Sequence, residues 1–459
     1  MRSHTFTKIS LSVLAAFSMA AVSIPMLAQA QTKATAQVQA QQKIAIEDVL
    51  QTYAGQAQQL YANSVKDLEA LQTAINAFAS QPTQATLDAA KAAWLQSRES
   101  YGLTEIFRLS EGPIDAEEGW VAEAYGALEG QINAWPLDEH MIDYTLDADN
   151  KRTSGNIIDT IGKFTPGGEE AAEVDVTEIT VEAITELNEN GGEANVASGY
   201  HAIEFLLWGQ DQDYNNFLED NITNGAKTAG QRPLSDFTSD PFAKRRLAYL
   251  QAATNKLLAD VKTVAEAWDD KVDGNKGLYR AAFLSELSGN NADKNIPAET
   301  ALRQVLAGMG VFIKSELANE RIAVAVLTPS EEDEHSCFSD NTHRDIVRNY
   351  EGFKDVLLGQ LNGKKIGPAP YDALGQAEKQ TIDNLMGKIE QRLEKMDTLA
   401  KTSMHFDYQI MPEHKEESKN IVSMKNDMRK LGDQMVPVAS AFDIKLSEED
   451  VTDAEETQI

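Results

Sequence analysis

The sequence predicts an all-α protein. Apolar residues recur at the three- and four-residue spacing of a buried helix face through most of the 459 residues. Few stretches show the alternation of apolar and polar residues that is typical of a half-buried strand. Clusters of Gly, Pro, Asn and Asp separate the periodic stretches. A β-sheet is therefore not expected as a major element.

Residues 1–30 have the organisation of a signal peptide. Arg2 and Lys8 form a short basic region, an apolar run follows over residues 11–24, and A-Q-A at residues 28–30 is a typical cleavage site. Three serines and a proline interrupt the apolar run, which favours cleavage over a retained membrane anchor. We therefore expect the protein to be exported. No transmembrane span is expected in the mature chain.

The mature chain is predicted to fold as two helical halves. Residues 31–43 are rich in Gln, Ala and Thr and predict a disordered leader. Polar residues between 210 and 240 separate a first half, residues 44–235, from a second half, residues 236–445. An acidic tail, residues 446–459, follows.

The helices follow from the apolar periodicity and from the breaks in it. Pro82 separates the first two helices, and Asp240-Pro241 marks the restart of the pattern in the second half. The predicted helices span residues 44–78, 83–109, 176–188, 195–209, 242–268, 278–287, 298–327, 344–361, 377–402 and 415–442.

Charge and cysteine content exclude some functions. The formal charge is −31, and it becomes −33 when Arg2 and Lys8 leave with the signal peptide. Such an acidic surface repels nucleic acid and anionic lipid. Cys337 is the only cysteine, so an intramolecular disulfide is excluded.

The sequence S-G-Y-H-A-I-E-F-L-L-W-G-Q-D-Q-D, residues 198–213, carries the strongest chemical pattern. His201 and Glu204 are three residues apart and therefore lie on the same face of a helix. The residues between and after them are apolar, which predicts that both ionisable groups are buried and need partners. Two interpretations remain open, namely a structural His–Glu pair and a metal site with imidazole and carboxylate ligands.

Two further clusters accompany this pair. Trp94, Arg98, Tyr101 and Glu105 form a stripe on the second predicted helix, which is either a solvated edge or a pocket wall. The loop over residues 133–144 has the composition of a site rim and includes Trp135.

The connector over residues 329–345 is longer than two packed helices need. It contains His335, Asp340 and His343, together with Cys337. We read it either as a hydrophilic connector or as part of a ligand site.

These motifs together resemble the imelysin-like family, and in particular its iron-regulated branch. The hallmark G-x-H-x-x-E is present as Gly199, His201 and Glu204. Three more blocks support the resemblance: W-L-Q-S-R-E-S-Y-G-L-T-E-I-F-R at residues 94–108, G-P-I-D at 112–115 and I-N-A-W-P-L-D-E at 132–139.

The resemblance implies two helical bundles packed around a central cleft that holds the hallmark residues. It also implies export to the periplasm or to the outer membrane, and a role in iron supply beside other cell-envelope iron-uptake proteins. We therefore predict a site for a divalent metal, iron rather than zinc. The candidate metal ligands are His201, Glu204, Glu105, Asp115, His335, Asp340 and His343, and the candidate pocket residues are Trp94, Arg98, Tyr101, Trp135 and Trp208.

Two other functions remain open. Some relatives are classed as metallopeptidases, in which case Glu204 would be the general base, but Phe205 stands where the motif H-x-x-E-H has its second histidine. The other function is metal-free binding of a peptide or small ligand, with Arg98 as a carboxylate clamp. A contact between Arg98 and Glu204 would favour this metal-free pocket.

Overall fold

The computed structural model describes residues 44–147, 149, 151–211, 229–327 and 333–456. The predicted signal peptide and leader lie outside these residues, as do the last three residues of the acidic tail. The α-helices are α1 Ile46–Ser80, α2 Gln84–Tyr101, α3 Gly119–Tyr125, α4 Glu129–Ile132, α5 Glu139–Ile142, α6 Val181–Leu187, α7 Gly199–Trp208, α8 Ala243–Ala267, α9 Leu278–Phe283, α10 Ala298–Val311, α11 Val324–Leu327, α12 Thr342–Leu358, α13 Gln376–Thr402, α14 Phe406–Ile410, α15 Lys415–Asp433 and α16 Met435–Ser440.

The strands of the described residues are very short. Strand β1 (Lys163–Phe164) pairs antiparallel with β2 (Val174–Asp175), and β3 (Gln360–Leu361) pairs antiparallel with β4 (Lys364–Lys365). The remaining regular elements are the 3₁₀ turns Glu105–Phe107, Leu234–Phe237, Gly289–Lys294 and Pro370–Ala373 and the π-helix Phe312–Ala323. The all-α prediction is confirmed.

Helix packing surrounds the short helix α7 with long ones. Helix α1 packs along α2 and α8, and α7 packs against both α2 and α8. Helix α12 packs against α2 and against the π-helix, and α15 packs against the π-helix and α13. Elements from both predicted halves therefore meet near α7. Residues Ile44–Ile459 group as one compact unit, and the domain boundary near residue 235 stays a prediction.

Helix α2 is shorter than predicted. The Thr83 hydroxyl caps its first turn by accepting a hydrogen bond from the Thr86 N–H at 3.3 Å. The helix ends at Tyr101, because Gly102 packs against the Cβ of Arg348 and its carbonyl oxygen accepts a hydrogen bond from Asn349 Nδ2 at 3.0 Å. Glu105 consequently lies in the following 3₁₀ turn and not on the predicted helical stripe.

The predicted helix 298–327 contains a long π-helix, Phe312–Ala323. A π-helix bonds each residue to the one five positions along, so side chains five apart come onto one side. Glu316 and Arg321 show this relation, since Glu316 Oε1 accepts hydrogen bonds from Arg321 Nε at 3.1 Å and Nη2 at 2.8 Å. Segments of this kind are frequent at functional sites.

Helix α7 begins at Gly199, and the backbone conformation of this residue favours glycine. Its φ is +82°, and a Cβ placed there would lie 2.5 Å from the carbonyl oxygen of Ile132. Every residue of α7 is buried. The glycine of the G-x-H-x-x-E motif therefore lets the helix start in close contact with the end of α4.

None of the helices in the described part of the chain combines the length and the apolar character needed to cross a bilayer.

We expect Gly199→Ala to lower the free energy of unfolding by at least roughly 1–3 kcal/mol, because it adds both a left-handed backbone strain and a clash with Ile132. Gly387→Ala, within α13, is the matched control: nothing lies within 4 Å of its added Cβ, and we expect no loss of stability. Urea denaturation of both variants measures the difference. Equal stability of the two would contradict this account of Gly199.

Candidate functional site

His201 and Glu204 form a fully buried pair on α7. His201 Nδ1 lies 3.0 Å from Glu204 Oε2, and neither residue is exposed. The other carboxyl oxygen, Glu204 Oε1, accepts hydrogen bonds from the Ser339 N–H at 3.0 Å and the Ser339 hydroxyl at 2.6 Å. Ser339, which lies in the connector that precedes α12, thus satisfies the second carboxyl oxygen of Glu204.

Burial sets the protonation of this pair. It raises the pKa of Glu204 to about 8, against the opposing hydrogen bonds from Ser339. Burial also lowers the pKa of His201 well below its ordinary value, and the nearby His335 and Arg98 act in the same direction. Near neutral pH the hydrogen bond therefore joins a largely protonated carboxyl and an uncharged imidazole.

His335 places a second imidazole beside His201. The ring centroids lie 4.6 Å apart with the planes at 80°. His335 Nδ1 lies 3.0 Å from Asp345 Oδ2, so this ring also faces a carboxyl group through Nδ1. Burial lowers the pKa of His335 well below its ordinary value, as do Arg321 and Arg98. Both imidazoles are therefore neutral near neutral pH.

The Nε2 atoms of the two rings have few partners. His201 Nε2 is buried and has no hydrogen-bond partner among the residues that the structure describes. His335 Nε2 lies 3.5 Å from Asn133 Nδ2, at the limit of a hydrogen bond. Trp135 packs beside both rings, with centroid distances of 5.1 Å to His201 and 6.5 Å to His335. Two uncharged imidazoles, each backed by a carboxyl group, are a donor set that fits a borderline metal such as Fe(II) or Zn(II).

Arg98 holds the groups behind His335. Its guanidinium is fully buried and donates from Nε to Asp345 Oδ1 at 3.1 Å and from Nη1 to Asn133 Oδ1 at 2.6 Å. Among the described residues, Arg98 makes no hydrogen bond to Glu204, whose partners are His201 and Ser339. The Arg98–Glu204 contact that would favour a metal-free pocket is therefore not observed.

Glu105 lies among arginine side chains next to this site. Its Oε2 is 2.5 Å from Arg321 Nη2, and its Oε1 accepts a hydrogen bond from Asn349 Nδ2 at 3.1 Å. Burial works against ionisation here, but Arg321 and Arg98 lower the pKa of Glu105 overall. Glu105 is therefore ionised and already paired with arginine.

A cavity of about 360 Å³ opens beside His335. Its walls come from both predicted halves of the chain and carry six acidic side chains against two arginines. The lining residues are Arg108, Glu129, Asn133, Ala134, Trp135, Glu189, Glu193, Glu316, Glu320, Arg321, Asp333 and His335. His201 and Glu204 are not among them and lie one layer deeper.

The structure brings some of the predicted site residues together. His201 contacts Glu204, His335 and Trp135, and Arg98 lies behind His335 through its ion pair with Asp345.

The other predicted pocket residues lie in the core next to this site. Trp94 packs against Trp208 at a centroid distance of 5.3 Å, and Tyr101 packs against Tyr200 at 4.8 Å. Trp94 also donates a hydrogen bond from Nε1 to the Tyr200 carbonyl oxygen at 3.1 Å.

Three predicted metal ligands have other neighbours. Asp115 accepts a hydrogen bond from the Leu109 N–H. His343 Nδ1 lies 3.0 Å from the Asp340 carbonyl oxygen, and its Nε2 lies 3.7 Å from Asp397 Oδ1. The Asp340 carboxylate pairs with His405 at 2.5 Å.

Sequence reasoning did not assign Asn133, Ser339 and Asp345 to the site, although each contacts one of its central residues. Asn133 and Asp345 lie within the two polar stretches, residues 133–144 and 329–345, that we considered as parts of a site. Their position in these stretches was the one indication that they belong to it. Nothing in the spacing of Ser339 pointed to Glu204.

Comparisons with known proteins agree with the fold. The family model described as Imelysin, peptidase family M75, matches residues 57–435. A crystal structure named as an iron-regulated protein A precursor from Parabacteroides distasonis superposes with a TM-score of 0.57 at 16% sequence identity. The superposition covers 86% of this chain and 95% of that one. A comparison with curated proteins found no match.

We expect Glu204→Gln to flatten the pH dependence of stability between about pH 4.5 and 8. The pKa of Glu204 is raised from 4.5 to about 8 in the folded protein, so the folded state holds a proton that the unfolded chain has released. This contribution to stability is complete below pH 4.5 and is lost as the pH rises through 8. Glutamine is uncharged at every pH and removes this loss.

Urea denaturation at several pH values compares the two proteins, with Glu299→Gln, at an exposed position in the first turn of α10, as the control. If wild type and Glu204→Gln lost stability in parallel from pH 4.5 to 8, folding would not raise the pKa of Glu204.

Proposed function

The chain belongs to the imelysin family, and from this premise we propose that it is an exported protein that binds a divalent metal, iron rather than zinc, in iron acquisition. The observation that carries the proposal is the pair of buried, uncharged imidazoles of His201 and His335, each backed by a carboxyl group. Within the described part of the chain, the buried Nε2 of His201 has no hydrogen-bond partner and is available as a ligand atom.

His201 and His335 would hold the ion through their Nε2 atoms. Glu204 and Asp345 each lie 3.0 Å from the Nδ1 of one ring, so they fix the orientation and the tautomer of that ring. Arg98 acts one step further out, because its hydrogen bonds hold Asp345 and Asn133. The metal itself is the cargo, and the protein supplies donors, orientation and burial.

The His201–Glu204 pair also controls a proton. When Glu204 is protonated, its Oε2 donates to Nδ1 and the ring carries its own proton on Nε2. When the pair loses one proton, the ring proton lies on Nδ1, the carboxylate accepts it, and the Nε2 lone pair becomes available. Binding of a metal at Nε2 therefore requires the release of one proton from the pair.

The surroundings support a cation as the ligand. The cavity beside His335 has more acidic than basic side chains, which raises the local concentration of cations. The Parabacteroides distasonis protein that shares the fold is named as iron-regulated and as a precursor, which is consistent with a role in iron supply and with export.

The geometry favours metal binding over peptide hydrolysis. A general base must reach the attacking water, whereas Glu204 is fully buried, bonded to His201 and Ser339, and does not line the cavity. The sequence also lacks the second histidine of H-x-x-E-H, since Phe205 follows Glu204.

We expect His201→Ala and His335→Ala each to weaken Fe(II) binding by more than about 100-fold, because each removes a ligand atom. We expect Asp345→Asn to weaken it by about 10- to 100-fold, because the ring of His335 loses its charged partner. Anaerobic calorimetric titration of the metal-free protein with Fe(II) measures all three.

His140→Ala is the matched control, since His140 is exposed and bonds Thr153 at 3.0 Å. Its affinity should equal that of the wild type. Unchanged Fe(II) affinity in both His201→Ala and His335→Ala would exclude the proposed site.

A further inference from the structure

A second group of possible ligand atoms lies away from the two imidazoles. One ligand atom from each of Asp340, His405 and Asp407 lies within 4.8 Å of the other two. Asp340 comes from the connector before α12, and His405 and Asp407 lie at the start of α14. The Asp340 Oδ2 and His405 Nδ1 atoms are 2.5 Å apart. This cluster, which we call the Asp340 cluster, combines two carboxylates and one imidazole.

Buried oxygen atoms around the Asp340 cluster lack partners. Within the described ranges, Asp407 Oδ1 and Glu334 Oε1 have no hydrogen-bond partner, and their residues are only 2% and 1% exposed. Glu334 uses its other oxygen to accept a hydrogen bond from the Thr342 hydroxyl at 3.1 Å. A buried carboxylate oxygen without a donor is costly, so the Asp407 oxygen favours binding of a ligand at the cluster.

Glu334 belongs to the same group electrostatically. Burial raises the pKa of Glu334 well above its ordinary value, and the adjacent Asp407 and Asp340 raise it further. Burial raises the pKa of Asp407 in the same way, with Asp340 and Asp211 adding to the effect. The carboxyl groups are thus close enough to repel one another when ionised.

Two other buried carboxylates of this protein are neutralised by arginine. Glu105 pairs with Arg321, and Asp143 lies 2.6 Å from both Arg232 and Arg246. Among the described residues, no ion pair with Lys or Arg involves Glu334 or Asp407. Apart from His405, which acts on Asp407, only bound protons or a bound cation can therefore balance the charge of these two groups within the described part of the chain.

We propose that the Asp340 cluster is a second metal site, in which Asp340, His405 and Asp407 are the ligands. The mixture of imidazole and carboxylate selects a first-row divalent transition metal such as Zn(II), Mn(II) or Fe(II) rather than Ca²⁺, which takes oxygen ligands. The His405 side chain is 15% exposed and gives the ion a route from solvent. This site shares no ligand with the His201–His335 site.

The connector joins the two sites. Ser339 donates two hydrogen bonds to Glu204, and the next residue, Asp340, pairs with His405. His335, which belongs to the first site, lies five residues before Asp340 in the same segment. One short segment thus contributes side chains to both clusters.

The test is a Zn(II) titration of the metal-free full-length chain by calorimetry. Four proteins are compared: the wild type, Asp407→Asn, His201→Ala and the combination of both changes. We expect about two, one, one and no equivalents of tightly bound Zn(II), respectively. Asparagine keeps the size of Asp407 and removes its charge, and Asp88→Asn, at an exposed position of α2, is the matched control that should keep about two equivalents.

The two proposals fail differently. If Asp407→Asn keeps the stoichiometry and affinity of the wild type, the second site is excluded whatever His201→Ala shows. If only His201→Ala is without effect, the site of the proposed function does not take Zn(II), the Fe(II) titration of His201→Ala and His335→Ala decides on that site, and the second site stands.

Thermal unfolding provides an independent readout. Without metal, Asp407→Asn should melt at the same temperature as the wild type or higher, because it removes a repelled carboxyl group. Zn(II) should raise the melting temperature of Asp407→Asn by less than that of the wild type. His405→Gln, at the partly exposed member of the cluster, should show the same reduced rise. An equal rise in the wild type and in both variants would overturn the proposal.

Discussion

The structure depends on the burial of an imidazole and a carboxyl group one turn apart on a helix that has no exposed residue. Burial makes the charged forms of both groups unfavourable, so His201 and Glu204 share a hydrogen bond in which neither carries a full charge near neutral pH. This arrangement needs a polar partner for the second carboxyl oxygen, and Ser339 supplies it. The connector before α12 must therefore dock onto α7, and that docking places His335 next to His201.

The ionisable groups are arranged in distinct environments. The layer around Glu105 contains arginines and is electrically balanced within the protein. The two imidazoles are uncharged and have carboxyl groups behind them. Among the described residues, the carboxyl groups of Glu334 and Asp407 form no ion pair with Lys or Arg. The first environment is typical of structural support, whereas the other two have the properties of cation sites.

Local patterns in the sequence correctly predicted the structural features that depend on helical spacing. The pairing of His201 with Glu204 follows from their separation of three residues, and the burial of α7 follows from its apolar neighbours. Contacts between distant segments were not accessible in this way. Ser339 and Glu204 are 135 residues apart, and Arg98 and Asp345 are 247 apart, so only the tertiary fold brings them together.

Where the sequence analysis misplaced a residue or did not assign it, the causes are similar. Glu105 was placed on a helical stripe because its spacing fits, but the contact between Gly102 and Asn349 ends the helix before it. His405 and Asp407 received no assignment, because α14 has only five residues and presents no periodic pattern. Asp340 was grouped with His335 because the two are close in sequence, whereas their side chains belong to different clusters.

The most direct test of the central claim is a crystal structure of the full-length chain grown anaerobically with Fe(II), with an anomalous difference map calculated at the iron edge. The account predicts a peak about 2.0–2.2 Å from both His201 Nε2 and His335 Nε2, as for an imidazole-bound metal. A map of a fully folded protein with no peak at these two atoms would contradict it.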